Sequence, residues 1–220
     1  MKRYFVLIAT SSAIALLAPS VASATQIEIG RTVEKNAPTC PDNCQAVSRV
    51  TGFQTQVNKV SDPFVVPREG RIVAFTMQLG KPNQSQLDFF TQRLGAKSQV
   101  RLAVIKPYKK TANKFRFVLN AQSDVFELNK FFGKTVQFPL RTSLFVRKGY
   151  IVALTVVTWA PALAAGPTFT KDYAWRASRG KPCSDTLTQA AQQTPGSFTQ
   201  YFCQYRTARL TYSATEIVNP

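Results

Sequence analysis

Residues that commonly perform catalysis are scarce in this chain. It has no histidine, which removes the usual general base, the Ser-His and Cys-His nucleophile pairs and most transition-metal sites. Carboxylates remain, and a glycosidase needs two of them facing each other across a cleft. Jelly-roll glycosidases usually carry them on inward strand positions flanked by aromatic residues, and only Asp172, beside Tyr173 and Trp175, approximates that arrangement. The inventory favours a non-catalytic protein over an enzyme, with a carbohydrate-active hydrolase that uses Asp172 as the alternative.

The four cysteines, Cys40, Cys44, Cys183 and Cys203, predict two disulfides, because an even count is typical of an exported chain. We favour the local pairs Cys40–Cys44 and Cys183–Cys203, and a link from the Cys40 segment to either later cysteine stays open. Their spacing does not match zinc knuckles, and no run of alternating Asp and Asn resembles a calcium loop. We therefore predict no metal and no cofactor.

Positive charge is the strongest indication of a partner. The formal net charge is +17, of which only two units belong to Lys2 and Arg3 at the N-terminus. The basic residues cluster in three runs: Lys106, Lys109, Lys110, Lys114 and Arg116 with Tyr108 and Phe115 interleaved; Arg176, Arg179 and Lys181; and Arg141, Arg147 and Lys148. Cations mixed with aromatic rings suit anionic or carbohydrate polymers of the cell envelope. The alternative is that these residues only form solvated turns.

Two tryptophans invite the same choice between a site and a core. Trp159 precedes Ala160-Pro161, and Trp175 lies in Asp172-Tyr173-Ala174-Trp175-Arg176. Either indole could form a platform for a sugar ring, but large aromatic residues more often pack in a core, which is the interpretation we favour. The candidate ligand-binding residues are Lys106, Tyr108, Lys109, Lys110, Lys114, Trp159, Asp172, Tyr173, Trp175, Arg176, Arg179 and Lys181.

Residues 1–24 predict a secretory signal peptide. A positive start is followed by an almost wholly apolar stretch over residues 4–17, and Ala22-Ser23-Ala24 offers small residues for cleavage near Ala24. The apolar stretch is shorter than the roughly 20 residues that span a bilayer, which disfavours a membrane anchor. We expect a secreted protein without a transmembrane anchor, either extracellular or held non-covalently at the cell envelope. This location disfavours nucleic acid as the physiological partner.

The elements that must position these side chains are mostly strands. Apolar residues recur with period two over 71–79, where Val73, Phe75, Met77 and Leu79 share one face, and over 100–105, 115–119 and 207–213, and residues 150–157 form a near-continuous β-branched run. Short segments of this kind, separated by Pro, Gly and Asn, favour a sandwich or barrel. We predict an all-β, jelly-roll-like antiparallel β-sandwich that forms a single domain over residues 25–220.

One segment has helical spacing instead. Leu87, Phe90 and Leu94 recur at intervals of three and four residues, after Pro82-Asn83 and before Gly95. This pattern predicts one short helix, inserted between strands over about residues 84–94. The turn-rich stretch 179–198 carries Cys183 near one end, and we interpret it as an ordered loop.

Two segments share the order basic residue, glycine, buried strand: residues 68–75 (REGRIVAF) and 138–154 (FPLRTSLFVRKGYIVAL). Further distinctive pieces are residues 29–32 (IGRT), 39–44 (TCPDNC), 158–163 (TWAPAL) and 205–212 (YRTARLTY). At these residues the chain resembles a group of exported bacterial β-sandwich proteins of uncharacterised function from high-GC Gram-positive soil bacteria. The resemblance covers most of residues 25–220. It implies a fold and a location, and it carries over no catalytic or binding residue.

Together these observations predict a secreted, non-catalytic binding or structural module of the cell exterior. Its expected partners are anionic or carbohydrate polymers, contacted through basic turns and exposed aromatic residues. Two alternatives stay open besides this one: the hydrolase based on Asp172, and a subunit that pairs with other exported proteins. The sequence does not indicate an oligomeric state.

Overall fold

The computed structural model describes residues 24–30, 46–58, 60–108, 115–165 and 172–218. Residues 1–23 of the predicted leader lie outside the described residues. So do Cys40 and Cys44, and the lysines at positions 109, 110 and 114 of the first basic run.

The described residues form an all-β fold with one α-helix, as the sequence predicts. The helix is α1 (Gln84–Leu94), and a short 3-10 helix spans Asn129–Phe131. The strands are β1 (Thr25–Ile29), β2 (Val47–Val57), β3 (Val60–Ser61), β4 (Gly70–Gln78), β5 (Gln99–Pro107), β6 (Arg116–Gln122), β7 (Phe126–Glu127), β8 (Thr135–Val146), β9 (Ile151–Ala160), β10 (Leu163–Ala165), β11 (Ala174–Ala177), β12 (Phe198–Gln200), β13 (Cys203–Arg206), β14 (Ala208–Leu210) and β15 (Tyr212–Val218).

The strands pair antiparallel in two main sheets and one ribbon. The smaller sheet has the order β1-β15-β4-β8, and β10 pairs with β14 in the ribbon. The large sheet has the order β12-β6-β5-β9-β2-β11-β13, with β3 beside β2 and β7 beside β5. The smaller sheet packs on the large one, and buried residues of both sheets form one hydrophobic core. At their contact, the Tyr212 hydroxyl of β15 donates to the Val152 carbonyl of β9 at 3.0 Å.

The two edges of the large sheet are close together in the chain. Strand β12 ends at Gln200 and β13 begins at Cys203, so only Tyr201 and Phe202 separate the two edge strands. Three peptide steps span at most about 11 Å, so the sheet curls until its edges nearly meet. Tyr201 is fully buried inside the curl, with its ring 5.2 Å from Phe117 and 5.6 Å from Phe53. We call the line where β12, residues 201–202 and β13 join the two edges the seam.

Two details of the predicted strands differ from the structure. In β4 the buried residue is Ile72 and not Val73, because the register with both neighbouring strands shifts at Val73 in a β-bulge. The predicted final strand over 207–213 is two strands, β14 and β15. They separate at Thr211, whose N–H donates to the Ala162 carbonyl and whose hydroxyl donates to the Gln78 carbonyl. The chain passes from the ribbon to the smaller sheet at this residue.

Helix α1 is confirmed at its predicted bounds. Its N-terminus has a capping box: the Asn83 side chain accepts from the Gln86 N–H, and the Gln86 side chain accepts from the Asn83 N–H. The helix ends at Gly95, whose φ of 114° suits glycine. No helix in the described part of the chain combines the length and the apolar composition needed to cross a membrane.

One of the two predicted disulfides lies within the described residues. Cys183 and Cys203 are bonded, with a Cα–Cα distance of 5.5 Å. This bond excludes the alternative in which either cysteine joins the Cys40 segment. The other predicted pair, Cys40–Cys44, falls outside the described residues. The confirmed disulfide ties the loop after β11 to the start of β13, immediately beside the seam.

Candidate functional site

Three exposed phenylalanines gather at the seam. Phe198 is 52 % exposed, Phe202 40 % and Phe115 39 %, which is unusual for large apolar side chains. Pairing brings them together: Gln200 of β12 lies opposite Arg116 of β6, and the Tyr201 N–H donates to the Phe115 carbonyl at 2.8 Å. The register of β12 on β6 therefore brings the exposed phenylalanine rings close together.

Each of these rings carries a cation. The Arg176 guanidinium carbon lies 3.4 Å from the centroid of Phe115, and the Arg116 carbon lies 4.9 Å from that of Phe198. The Lys181 Nζ lies 5.0 Å from the Phe202 centroid, and Tyr108 stacks on Phe198 at 5.3 Å. We call this set the aromatic–cationic surface; its members are Tyr108, Phe115, Arg116, Arg176, Lys181, Phe198 and Phe202.

Backbone contacts fix Arg176 in this surface. Its guanidinium donates to the Tyr201 carbonyl at 3.1 Å and to the Gln204 side-chain oxygen at 3.4 Å. Partial burial, and then the like charge of Arg206, lower the pKa of Arg176 from its usual value. Arginine remains protonated under all physiological conditions. The approach of an anion therefore stabilises the positive charge of Arg176, which partial burial and Arg206 disfavour.

Sequence composition makes the surface strongly positive. The segments that build it contain no acidic residue over 98–123, 173–184 and 186–215. The described ion pairs lie on other cations: Lys97 pairs with Glu127, Arg141 with Asp124 and Arg147 with Glu69. An exposed surface that lacks nearby carboxylates attracts anions over a Debye length, which is about 10 Å at 0.1 M salt.

The seam unites parts of two basic runs that are separate in the sequence. From the first run it takes Tyr108, Phe115 and Arg116, and from the second Arg176 and Lys181. Lys106 is half-buried in β5, opposite Val118 of β6. Lys109, Lys110 and Lys114 are outside the described residues, between Tyr108 and Phe115. Strands β6 and β11 are four places apart in the sheet, so their meeting depends on the curl.

Arg179 does not join this surface, although it belongs to the second basic run. It is only 4 % exposed, and its guanidinium donates to the Thr188 and Ser48 carbonyls, each at 3.1 Å. It holds the loop after β11 against β2. The sequence prediction placed Arg179 with Arg176 because the two are close in the chain. They lie apart because Arg176 is within β11 and reaches the Tyr201 carbonyl at the seam, whereas Arg179 follows the end of β11.

Trp159 lies in the core and has no free face for a ligand. It is fully buried, it stacks on Phe90 at 4.7 Å, and its indole N–H donates to the Gly95 carbonyl at 2.9 Å. Trp159 is therefore a core residue, as favoured from the sequence. Its role is to seat α1 on β9.

The predicted aromatic platform around Asp172 is also largely interior. Tyr173 is buried against Val57 and Ala164, Trp175 is buried and stacks on Tyr205 at 4.5 Å, and Asp172 is half-buried. The rings beside Asp172 therefore do not form an open surface for a sugar. Trp175 borders a cavity instead.

The described carboxylates mostly serve structural roles. Hydrogen bonds from the Thr188 side chain, and then from the Thr188 and Leu187 N–H groups, lower the pKa of Asp185. The hydrogen bond and charge of Arg141 lower the pKa of Asp124. Glu216 is different: it is buried without a hydrogen-bond partner, and desolvation raises its pKa to about 7. No group of three metal-ligating side chains occurs among the residues described.

Phe198 and Phe202 are the members of the surface that sequence reasoning missed. They lie in a polar stretch that we interpreted as a loop, and neither has a basic neighbour within two positions in the chain. The available signal was two phenylalanines flanking Tyr201, since large apolar residues in a polar loop must pack or serve a site.

Comparison of the chain with protein-family models and with curated proteins finds no match.

Proposed function

We propose that the protein is a secreted, non-catalytic binding module that holds an acidic polysaccharide on its aromatic–cationic surface. The observation that carries the proposal is the pairing of three exposed phenylalanine rings with three cations along the seam. Such a polymer offers both features that this surface would recognise, namely carboxylate or sulfate groups and the apolar faces of sugar rings. Positive charge without aromatic exposure would suit any polyanion equally.

The cation–ring contacts favour binding because they reduce its entropic cost. A guanidinium that already lies over a ring loses less freedom when it meets an anion than a solvated lysine does. Arg176 is further restricted by the carbonyl of Tyr201. Arg116 can then present two parallel N–H groups to one carboxylate or sulfate, which a point charge cannot do.

The test is heparin binding at low salt by matched phenylalanine variants. Phe198→Ser removes a ring of the surface, whereas Phe89→Ser removes an equally exposed ring (53 %) on α1. We expect Phe198→Ser to weaken heparin binding about three- to tenfold, because the ring and the seat of Arg116 are both lost. The control Phe89→Ser should stay close to wild type, and neutral dextran should not be retained.

Two results would overturn the proposal. Equal weakening by both variants would mean that the contacts are not at the seam. A single-stranded oligonucleotide that binds more tightly than heparin at the same salt would replace the polysaccharide with nucleic acid, because stacked bases also use exposed aromatic rings.

Secretion is the second part of the proposal. It is supported by the leader pattern of residues 1–24 and is consistent with the Cys183–Cys203 disulfide, since disulfides persist in oxidising compartments. Expression of the whole chain in a secreting bacterial host should yield protein in the medium that begins at Thr25, as read by mass spectrometry. Retention of residues 1–24 on the recovered protein would contradict it.

The architecture that we propose for the whole fold is a jelly-roll-like sandwich. The packing of the four-stranded sheet on the curled sheet supports a sandwich, and the antiparallel pairing throughout is consistent with one. A crystal structure in which the two sheets do not pack face to face would contradict the sandwich.

A further inference from the structure

A cavity of about 320 Å³ lies between the large sheet and the ribbon of β10 and β14. Its walls are mainly apolar and come from both elements: Val47 and Val50 of β2, Leu163 of β10 and Ala208 of β14. This volume is at the lower end of the range for small-molecule sites. Trp175, which lines the cavity, and Arg176 of the aromatic–cationic surface are neighbours in β11, so their side chains point to opposite faces of the sheet.

Trp175 is the distinctive residue of this cavity. It is 95 % buried, and its six-membered ring is close to β2, since a Cβ placed on Gly52 would lie 3.0 Å from its Cε3 and Cζ3 atoms. Its indole Nε1 is buried and has no hydrogen-bond partner. An unsatisfied buried donor is costly, so a native fold that keeps one often does so for a ligand.

The other tryptophan shows what a purely structural indole does in this fold. The Trp159 N–H donates to the Gly95 carbonyl at 2.9 Å. Near Trp175, the Tyr205 hydroxyl donates to the Cys183 carbonyl at 2.6 Å and makes no hydrogen bond with the indole N–H. No described residue that lines the cavity accepts from the Trp175 N–H, so a molecule bound there would supply the acceptor that the fold lacks.

Charge at the cavity identifies that molecule as an anion. Arg179 and Arg206 both line it, and no acidic residue does so within the described part of the chain. Arg179 is engaged by the Thr188 and Ser48 carbonyls, while Arg206 is exposed. A ligand with an apolar body and an anionic end matches the apolar walls, the indole donor and the exposed guanidinium.

We infer that the cavity binds a small amphipathic carboxylate of the fatty-acid type. Its alkyl chain lies against Val47, Val50 and Leu163, one carboxylate oxygen accepts from the Trp175 N–H, and Arg206 pairs with its charge. Binding then satisfies the buried donor and removes apolar surface from water in the same step.

The experiment follows the two indole N–H resonances of protein labelled with ¹⁵N-tryptophan. The probe is sodium octanoate, and octanol is the matched probe without charge. Octanoate should shift the Trp175 resonance downfield and leave that of Trp159 in place, because only the first gains an acceptor. Trp175→Phe, which keeps the ring stacked on Tyr205, assigns the resonance and should weaken octanoate binding about tenfold.

Arg206→Gln keeps the fold available for test if Trp175→Phe lowers expression, because Arg206 is exposed. It should weaken octanoate binding about tenfold and leave octanol binding unchanged. The inference is overturned if octanoate shifts neither resonance, if it shifts that of Trp159 instead, or if octanol binds as tightly as octanoate. Heparin binding by Trp175→Phe should equal that of wild type, so failure here is distinguishable from failure of the proposed function.

Discussion

The surroundings of the two tryptophans differ in a way that separates structure from function. Around Trp159 the indole N–H has its acceptor, the ring stacks on Phe90 and no face is exposed. Around Trp175 the indole N–H has no acceptor, a cavity opens beside the ring, and the other side of β11 carries a cation on an exposed phenylalanine. A region that satisfies its own polar and apolar groups has little to offer a ligand. The region around β11 has both an unpaired polar group, the Trp175 N–H, and apolar surface that is not covered, in the cavity and on the exposed phenylalanines.

The largest expected effect tests the closed region. Trp159→Ala should lower the free energy of unfolding by about 3–5 kcal/mol, because it leaves a cavity under α1 and an unpaired Gly95 carbonyl. Guanidinium denaturation followed by circular dichroism measures this loss. A loss below about 1 kcal/mol would contradict the close packing of Trp159, because it would mean that the surrounding side chains fill the vacated space.

The disulfide should have the next largest effect. Cys183→Ser combined with Cys203→Ser is expected to cost about 2–5 kcal/mol. Because the Tyr205 hydroxyl donates to the Cys183 carbonyl, the loss should also disturb the Trp175–Tyr205 stack. Near-ultraviolet circular dichroism should show this change. Unchanged stability with an unchanged aromatic spectrum would show that the open region is held without the bond.

In the smaller sheet, the Glu216 carboxylate resembles the Trp175 N–H, because both are buried without a hydrogen-bond partner. Its pKa is about 7 in the folded protein against a usual value near 4.5, so the folded state binds more protons between these values. Stability should therefore fall as pH rises from about 4.5 to 7, and stay low above it. No histidine titrates in this window.

Glu216→Gln should remove most of this dependence, because the amide is neutral at every pH. We expect the variant to exceed wild type by about 1–3 kcal/mol at pH 8 and to match it near pH 5. Urea denaturation at several pH values provides the measurement. Parallel curves for the two proteins would show that Glu216 is ionised in the fold.

Trp175→Phe should have the smallest effect on stability, within about 1 kcal/mol of wild type. It removes an N–H that has no partner and keeps an aromatic ring against Tyr205, so the lost packing is partly offset. The contrast with Trp159 can be measured under the same denaturation conditions. A loss as large as that of Trp159→Ala would mean that the indole N–H has a partner within the fold.

Local patterns were enough to predict the elements. The capping box at Asn83, Gly95 at the end of α1 and the alternation in β5 and β6 are properties of neighbouring residues. The pair Cys183–Cys203 could be preferred because both cysteines flank one loop. Where a strand is interrupted, alternation misleads, as at Val73 in its bulge and at Thr211, where the chain changes sheets.

The candidate site could be predicted only in part, because it depends on how distant strands meet. The sequence indicated clustered cations with interleaved aromatic residues, and Tyr108, Arg176 and Lys181 are in the surface. It could not indicate that Phe115 lies under Arg176, since that contact needs the large sheet to curl. The burial of Arg179 likewise depends on carbonyls of β2 and of the loop that the chain order does not reveal.

The most direct test of the account is the salt dependence of heparin binding in two charge-matched variants. Lys181→Gln removes a cation of the aromatic–cationic surface, and Lys148→Gln removes an exposed cation from the turn between β8 and β9. We predict that the logarithm of the affinity falls linearly with the logarithm of the salt concentration. Lys181→Gln should reduce that slope by about one, whereas Lys148→Gln should leave it unchanged. Equal slopes for the two variants would contradict a localised site and leave only the overall charge of the protein.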